Sequence, residues 1–147
     1  MCYKFYYLNK HFDIIVLYFL LYSAMLHKLS YLNLVAAVGY LLTYLLGGTV
    51  NSTLGILVII VFSWLGLRSF ELDKYKWNVL HYLTGLWSLY YAGTLVYGNL
   101  YLVKTAVYYH FITDNTLIFL VFTFLFCASV MWHFVLYFIR SYKEAKS

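Results

Sequence analysis

The feature that most constrains this chain is an unbroken stretch of 39 residues without a charged side chain, residues 29–67. A helix needs about 20 apolar residues to cross a hydrocarbon core about 30 Å thick, so this stretch is too long for one membrane span and suits two. The run Gly-Gly-Thr-Val-Asn-Ser at 47–52 lies near its middle and contains turn formers and candidate N-cap residues. We therefore predict two helices, at 31–46 and 52–70.

Charged residues divide the remainder of the chain into three further apolar segments. Residues 77–103 and 116–139 contain no charged side chain. The first segment, 12–27, contains Asp13, and its charge-free part of 14 residues would extend only about 21 Å as a helix. We expect one all-α integral membrane helical bundle over residues 1–147, with four to five hydrophobic helices. In this bundle, the first segment either lies in the membrane–water interface or spans the membrane with the charged side chains at its ends reaching the headgroups.

The composition excludes most other classes of protein. Hydrophobic residues make up 65% of the chain and charged residues only 10%, against about 45–50% and about 25% in soluble domains. Cys2 and Cys127 are far apart and indicate neither a disulfide scaffold nor a metal site. There is no basic stripe for nucleic acid, no Gly-rich phosphate loop, and no HExxH, GxSxG or CxxC motif. We therefore do not expect an enzyme that acts alone.

Aromatic residues reach 23% of the chain, and proline is absent. Tyr, Phe, Ile, Leu, Asn and Lys have AT-rich codons, whereas proline codons are GC-rich. This bias suggests an AT-rich genome such as that of an organelle.

The lysine and arginine residues indicate the orientation. If the first segment lies in the interface, nine of the ten Lys and Arg residues share one side, and only Lys104 lies opposite. If all five segments span, the division is three against seven. Because positive charge concentrates on the cytoplasmic or matrix side, we predict four spans, with both termini and the link at 68–76 on that side.

Two histidines inside spanning segments are candidates for function, because polar side chains are costly in lipid. His81 lies five residues inside Lys76, and His133 lies seven residues inside Arg140, on the same predicted side. At 1.5 Å per residue, both imidazoles lie about 7–10 Å below the headgroups, on neighbouring helices. Such a pair can bracket a haem, or one can ligate haem while the other lines a quinone pocket. Alternatively, each histidine only hydrogen-bonds a neighbouring helix.

The segment 77–103 has features of a helix that packs on protein rather than on lipid. Four tyrosines lie deep in it: Tyr90, Tyr91, Tyr97 and Tyr101. Buried phenols need hydrogen-bond partners. Gly85 and Gly93, eight residues apart, are expected to share a face and to permit close helix contact.

Residues 78–85, Asn-Val-Leu-His-Tyr-Leu-Thr-Gly, carry a resemblance to a known family. The segment resembles the entry to the first spanning helix of the large cytochrome b membrane anchor of succinate dehydrogenase (respiratory complex II). That family has Ser-x-x-His-Arg-x-Ser/Thr-Gly there, and its next helix carries a haem-ligating His, preceded by an aromatic residue and followed by Ile-Arg. Here Trp132-His133 and then Ile139-Arg140 stand in that place.

The resemblance implies that Asn78 and Tyr82 would stand at the ubiquinone positions beside His81, and that His133 would ligate the iron of haem b. Trp87 lies about one and a half turns deeper than Tyr82, so we expect it to cover part of the isoprenoid tail. Asn78 replaces the family's Ser and Tyr82 replaces its Arg, so the cationic quinone contact is missing. The implied partners are a peripheral iron–sulfur subunit, other subunits of the complex and phospholipids, without nucleic acid. The implied location is the mitochondrial inner membrane.

A second resemblance overlaps the first. Residues 82–94 resemble the third helix of the sixth mitochondrially encoded NADH dehydrogenase subunit, which carries a Tyr-x-Gly-Ala core. Three hypotheses therefore stand: a divergent complex II anchor; a lineage-specific structural subunit of a respiratory or ATP synthase complex, without a cofactor; and a proton-pumping NADH dehydrogenase membrane subunit.

Overall fold

Four α-helices make up most of the chain that the structure describes. The computed structural model describes residues 24–42, 49–72, 74–110, 112–144 and 146. The helices, numbered in chain order, are α1 (Ala24–Leu42), α2 (Val50–Glu71), α3 (Val79–Tyr108) and α4 (Asp114–Glu144). No strand occurs among these residues. The predicted all-α helical bundle is confirmed.

Three helices extend past a charged residue that was predicted to bound a segment, whereas α3 begins at Val79, two residues after its predicted start. α1 includes Lys28, which the sequence placed between two segments, whereas most of the predicted segment 12–27 lies outside the described residues. Likewise, α3 includes Lys104 and α4 includes Arg140. A helix of 31 residues such as α4 is about 46 Å long, whereas the hydrocarbon core is about 30 Å thick. Its terminal turns can therefore carry charge beyond the lipid core without ending the helix.

Three of the described helices, α1, α2 and α4, are long and apolar enough to cross a membrane, by length and composition. This is consistent with a multi-pass membrane protein. α3 has 30 residues but is not among the three. Its many tyrosine, tryptophan and glycine residues keep its mean hydropathy low.

α2 begins at the polar turn that the sequence placed between two spans. The Thr49 side chain accepts a hydrogen bond from the backbone N–H of Ser52 at 3.3 Å. This is the N-cap arrangement, which satisfies one of the unpaired amides at a helix start. The helix therefore begins two residues before the predicted bound.

α1 and α4 run antiparallel and are joined by three polar contacts. The contacts pair Ser30 with His133, Asn33 with Ser129, and Tyr40 with Thr123. Successive pairs move forward along α1 and backward along α4, as an antiparallel register requires. The buried positions of α1 recur at alternating intervals of four and three residues: Leu26, Ser30, Asn33, Ala37 and Tyr40. This period is that of helices packed at a shallow angle.

Glycines permit the closest helix contacts. A Cβ atom on Gly66 of α2 would lie 2.8 Å from His133 Nε2 and 2.8 Å from Ser30 Oγ. A Cβ atom on Gly85 of α3 would lie 2.9 Å from the ring of Phe134. Small residues at these points let the backbones approach.

The predicted pairing of Gly85 with Gly93 is only half correct. Gly85 makes the close contact, but none of the residues that the structure describes lies within 4 Å of the Cβ position of Gly93. Eight residues rotate an α-helix about 80° beyond two full turns, so the two glycines point in different directions. Gly93 instead faces outward from the bundle.

The basic residues gather at one end of the bundle, hereafter the basic end. The rings of His27 and Phe70 lie 4.4 Å apart there, and the backbone N–H of Tyr75 donates to Glu144 Oε2 at 2.7 Å. Seven described cations lie at this end: Lys28, Arg68, Lys74, Lys76, Arg140, Lys143 and Lys146. Lys104 lies at the opposite end, on the last turns of α3. The two N-terminal lysines lie outside the described residues.

Candidate functional site

Just inside the basic end, aromatic side chains from α2, α3, α4 and the α2–α3 link pack together. This aromatic cluster comprises Phe62, Trp77, His81, His133, Phe134 and Tyr137. Phe62, His133 and Tyr137 are completely buried. The residues of the middle of the bundle form a separate, more aliphatic core.

Tyr137 adjoins both candidate histidines. The ring of His133 lies parallel to the ring of Tyr137, with 6.0 Å between the centroids, and the ring of His81 meets it edge-on at 5.8 Å. The hydroxyl of Tyr137 bonds to Ser69 of α2. The two histidines thus lie near each other, as their similar depth from the charged helix ends predicted. The group that both of them contact is the Tyr137 ring.

His133 is fixed by a hydrogen bond at one ring nitrogen. Its Nε2 lies 2.8 Å from Ser30 Oγ, which also lies 2.9 Å from the Leu26 carbonyl oxygen. A hydroxyl has a single proton, so Ser30 donates either to Leu26 or to His133. In both cases the contact engages Nε2 and leaves Nδ1 as the other polar atom of the ring. Nδ1 is buried and has no hydrogen-bond partner among the described residues.

The packing of His133 does not fit a haem ligand. An axial ligand presents a ring nitrogen to space that the macrocycle occupies, whereas Nε2 here is engaged by Ser30 and lies against the backbone of Gly66. The rings of Phe62 and Tyr137 cover the imidazole further. To bind iron, His133 would have to leave these contacts.

His81 has a local role at the start of α3. Its Nδ1 accepts a hydrogen bond from the backbone N–H of Asn78, the N-cap residue, at 3.3 Å. This contact orients the imidazole and engages Nδ1, so that Nε2 is the ring nitrogen that can contact another group. The ring also stacks on Trp77, with 6.4 Å between the centroids.

Three of the four residues expected in the quinone region lie together. Asn78, His81 and Tyr82 surround Trp77, and the Tyr82 ring meets the Trp77 indole edge-on at 4.9 Å. Asn78 and Tyr82 are exposed, and His81 is half-buried. Their polar atoms are therefore accessible from outside the bundle, just inside the basic end.

Trp87 lies apart from that group. It lines a cleft of about 490 Å³ between the start of α2 and the middle of α3, together with Asn51, Ser52, Tyr90 and Thr94. Five residues rotate a helix by about 140° beyond one full turn, so Trp87 points away from Tyr82. The structure does not bring Trp87 to the other three residues.

Three residues of the site carry no motif in the sequence: Ser30, Trp77 and Tyr137. A signal for Ser30 does exist, because Ser30 and Asn33 recur on the buried face of α1, where a polar side chain indicates a polar partner helix. Trp77 and Tyr137 have no such signal. Their position depends on the link before α3 folding onto α4, where Ser141 Oγ accepts the Trp77 backbone N–H at 3.1 Å.

Within the described ranges, no three His, Cys, Asp or Glu side chains come together as a metal site would require. The site thus consists of a buried histidine that joins three helices and an accessible polar group around Trp77. No protein family, curated protein or solved structure was found to match this chain.

Proposed function

We propose that this protein is a structural membrane subunit of a larger assembly, which contacts neighbouring subunits through the outer face of α3. One observation carries the proposal. The exposed side chains of that face are rich in hydroxyl groups and indole: Trp87, Tyr90, Thr94, Tyr97 and Tyr101. They recur at intervals of three and four residues and so form one stripe.

Lipid is a poor cover for this stripe. Tyr90 and Tyr97 are 71% and 74% exposed, and a hydroxyl without a hydrogen-bond partner in hydrocarbon costs several kcal/mol. α1, α2 and α4, by contrast, are apolar enough to face lipid. A neighbouring protein helix supplies both hydrogen-bond acceptors and a surface that Gly93 lets approach closely.

The composition and the two resemblances support a more specific proposal for the complex and the membrane to which the protein belongs. We assign the protein to a respiratory-chain or ATP synthase complex of the mitochondrial inner membrane. The proline-free, aromatic-rich composition supports an organellar origin. In this role the buried Ser30–His133 contact holds the subunit together and needs no cofactor.

The test replaces Gly93 by leucine in the native assembly. Because no described residue lies within 4 Å of its Cβ position, Gly93→Leu should leave the fold of the isolated subunit unchanged but release it from the complex on a native gel. Gly39→Leu is the matched control, since Gly39 also faces open space, on α1. Retention of the Gly93→Leu subunit in an intact complex would contradict the proposed contact face.

A second candidate, the divergent complex II anchor, is favoured by the grouping of Asn78, His81 and Tyr82. Asn78 and Tyr82 can each donate a hydrogen bond to a quinone carbonyl just inside the basic end, where a peripheral iron–sulfur subunit would dock. Loss of one such bond costs about 0.5–1.5 kcal/mol. Tyr82→Phe should then raise the apparent quinone KM several-fold with no loss of assembly.

The control for this second candidate is Tyr108→Phe, because Tyr108 is also exposed but lies at the opposite end of α3, outside the proposed contact stripe. Normal quinone kinetics in Tyr82→Phe would exclude the quinone site. Because the packing of His133 does not fit a haem ligand, this candidate concerns the quinone region alone, and His133→Ala should leave the reduced-minus-oxidised spectrum unchanged.

A further inference from the structure

The outer face of α2 carries a lane of exposed side chains that ends in a cation. Its members, hereafter the α2 lane, are Leu54, Leu57, Val61, Trp64 and Arg68, at alternating intervals of three and four residues. The four hydrophobic members are between 40% and 50% exposed. Only the last member, at the basic end, is charged. We propose that the α2 lane binds an anionic phospholipid, with the headgroup phosphate at Arg68 and an acyl chain along Trp64, Val61, Leu57 and Leu54.

The two residues at the head of the lane have the geometry of a lipid headgroup region. The guanidinium carbon of Arg68 lies 5.4 Å from the centre of the Trp64 ring. Tryptophan favours the boundary between headgroups and hydrocarbon, where its ring is in lipid and its N–H is hydrated. The contact with Trp64 holds the Arg68 charge at that boundary, where a phosphate can accept two hydrogen bonds from one guanidinium.

The α2 lane is long enough to cover the hydrocarbon depth of one leaflet. Fourteen residues separate Leu54 from Arg68, which is about 21 Å along the helix. Half of the hydrocarbon core is about 15 Å. An acyl chain whose headgroup is at Arg68 can therefore contact apolar side chains along its whole depth, without meeting a charged group.

Charge complementarity selects an anionic lipid. Of the described residues at the basic end, seven are cationic, and only Glu71 and Glu144 are acidic. The Glu144 carboxylate is already engaged by the backbone N–H of Tyr75. The excess of positive charge at this level of the membrane attracts anionic headgroups, each Lys or Arg contributing about a fivefold gain in affinity.

A second cation lies at the same level on the neighbouring helix. α1 contacts α2 at Ser30 and Gly66 and again at His27 and Phe70, which places Lys28 level with Arg68. An apolar groove of about 420 Å³ adjoins Lys28, with Met25, Leu29 and Leu32 in its lining. Headgroup charge and apolar surface thus occur together on both helices. An acidic protein surface would match the cations but not the apolar surface below them.

This inference requires only that the bundle spans a membrane. It meets the proposed contact face on α3 only at Leu54, which lines the same cleft as Trp87 and Tyr90. The test uses Trp64 as its own reporter. In the full chain, Trp87→Phe and Trp132→Phe remove the other exposed indoles and leave Trp64 with the buried Trp77. The protein is placed in phosphatidylcholine vesicles that contain equal fractions of dibrominated phosphatidylglycerol or dibrominated phosphatidylcholine, which quench tryptophan on contact.

We expect the brominated anionic lipid to quench Trp64 more strongly than brominated phosphatidylcholine. Arg68→Gln should reduce the relative affinity for the anionic lipid by about fivefold, whereas Arg68→Lys and the opposite-end variant Lys104→Gln should retain the preference. Raising the salt concentration of the unsubstituted protein to about 1 M should weaken the preference too, since screening then acts within about 3 Å. This measurement needs no substitution at Arg68.

Two results would overturn the proposal. The first is equal quenching by the two brominated lipids in the parent protein at low salt. The second is an anionic preference that persists unchanged in Arg68→Gln. Either result would favour an acidic protein surface, and not a lipid headgroup, as the partner of the basic end.

Discussion

Ser30 Oγ and His133 Nε2 lie 2.8 Å apart in the core of the bundle, although 103 residues separate them in the sequence. Both side chains are completely buried, and Gly66 of α2 lies against the two atoms. The contact therefore fixes three helices at one point. With the Asn33–Ser129 and Tyr40–Thr123 pairs, it also sets the register of α1 on α4.

A double-mutant cycle should detect the coupling of this pair. Hydrogen bonds between membrane helices contribute about 0.6 kcal/mol on average and up to about 1.7 kcal/mol. The free energies of unfolding of Ser30→Ala, His133→Ala and the double variant, measured in bicelles, should therefore deviate from additivity by that amount. The control cycle pairs Ser30→Ala with Thr123→Ala, which share no partner and should be additive to within about 0.5 kcal/mol. Additivity in both cycles would contradict the contact.

Gly66→Ala should destabilise the bundle although alanine favours helices. The added Cβ would lie 2.8 Å from both polar atoms of the Ser30–His133 pair, and overpacking of a core costs about 1–3 kcal/mol. Gly39→Ala is the matched control, because its Cβ meets nothing within 4 Å and helix propensity alone favours it by up to about 1 kcal/mol. The two variants should shift the midpoint of thermal unfolding in opposite directions. A shift of the same sign and size in both would show that Gly66 is not tightly packed.

The fold class could be predicted from the sequence, but the pairing of the helices could not. Charge-free runs separated by charges identify helices, because lipid excludes unpaired charge. The same rule failed at Lys28, since an exposed lysine can project from within a helix near the headgroups. Which helix contacts which depends on side chains far apart in the chain, such as Ser30 and His133, and no local period encodes that.

In the candidate site, too, some features could be predicted from the sequence and others could not. The proximity of His81 and His133 was predictable because depth along a straight helix is counted in residues from a charged end. The grouping of Trp87 with Tyr82 was not, because rotation around the helix axis matters as much as depth. The cover of His133 by Tyr137 and Gly66 depends on packing between helices and left no pattern in the sequence.

Tyr137→Phe should weaken the basic end of the bundle while keeping the aromatic contacts. The substitution removes the hydroxyl that bonds Ser69 and leaves the ring beside both histidines. Because the Ser69 hydroxyl is buried, its loss of a partner costs about 1–3 kcal/mol. Tyr142→Phe, at a position that is 55% exposed, should change the unfolding free energy by less than about 0.5 kcal/mol. Equal stability of the two variants would argue against a structural role for the Tyr137 hydroxyl.

The last prediction concerns α3, whose low hydropathy makes its membrane crossing the critical step of the topology. Lys74 precedes α3 and Lys104 lies near its end; both side chains are exposed. Because α3 is about 45 Å long, a spanning α3 places them on opposite sides of the membrane, with Lys74 on the cytoplasmic or matrix side.

Labelling of single cysteines with an impermeant maleimide tests this topology. The cysteines are introduced at positions 74, 104 and 143, in a background with Cys2→Ser and Cys127→Ala. Positions 74 and 143 should react from one side of sealed vesicles and position 104 from the other, whereas all three should react after detergent is added. If positions 74 and 104 reacted equally from one side, α3 would not cross, and the α3 face could not contact a neighbouring subunit within the membrane.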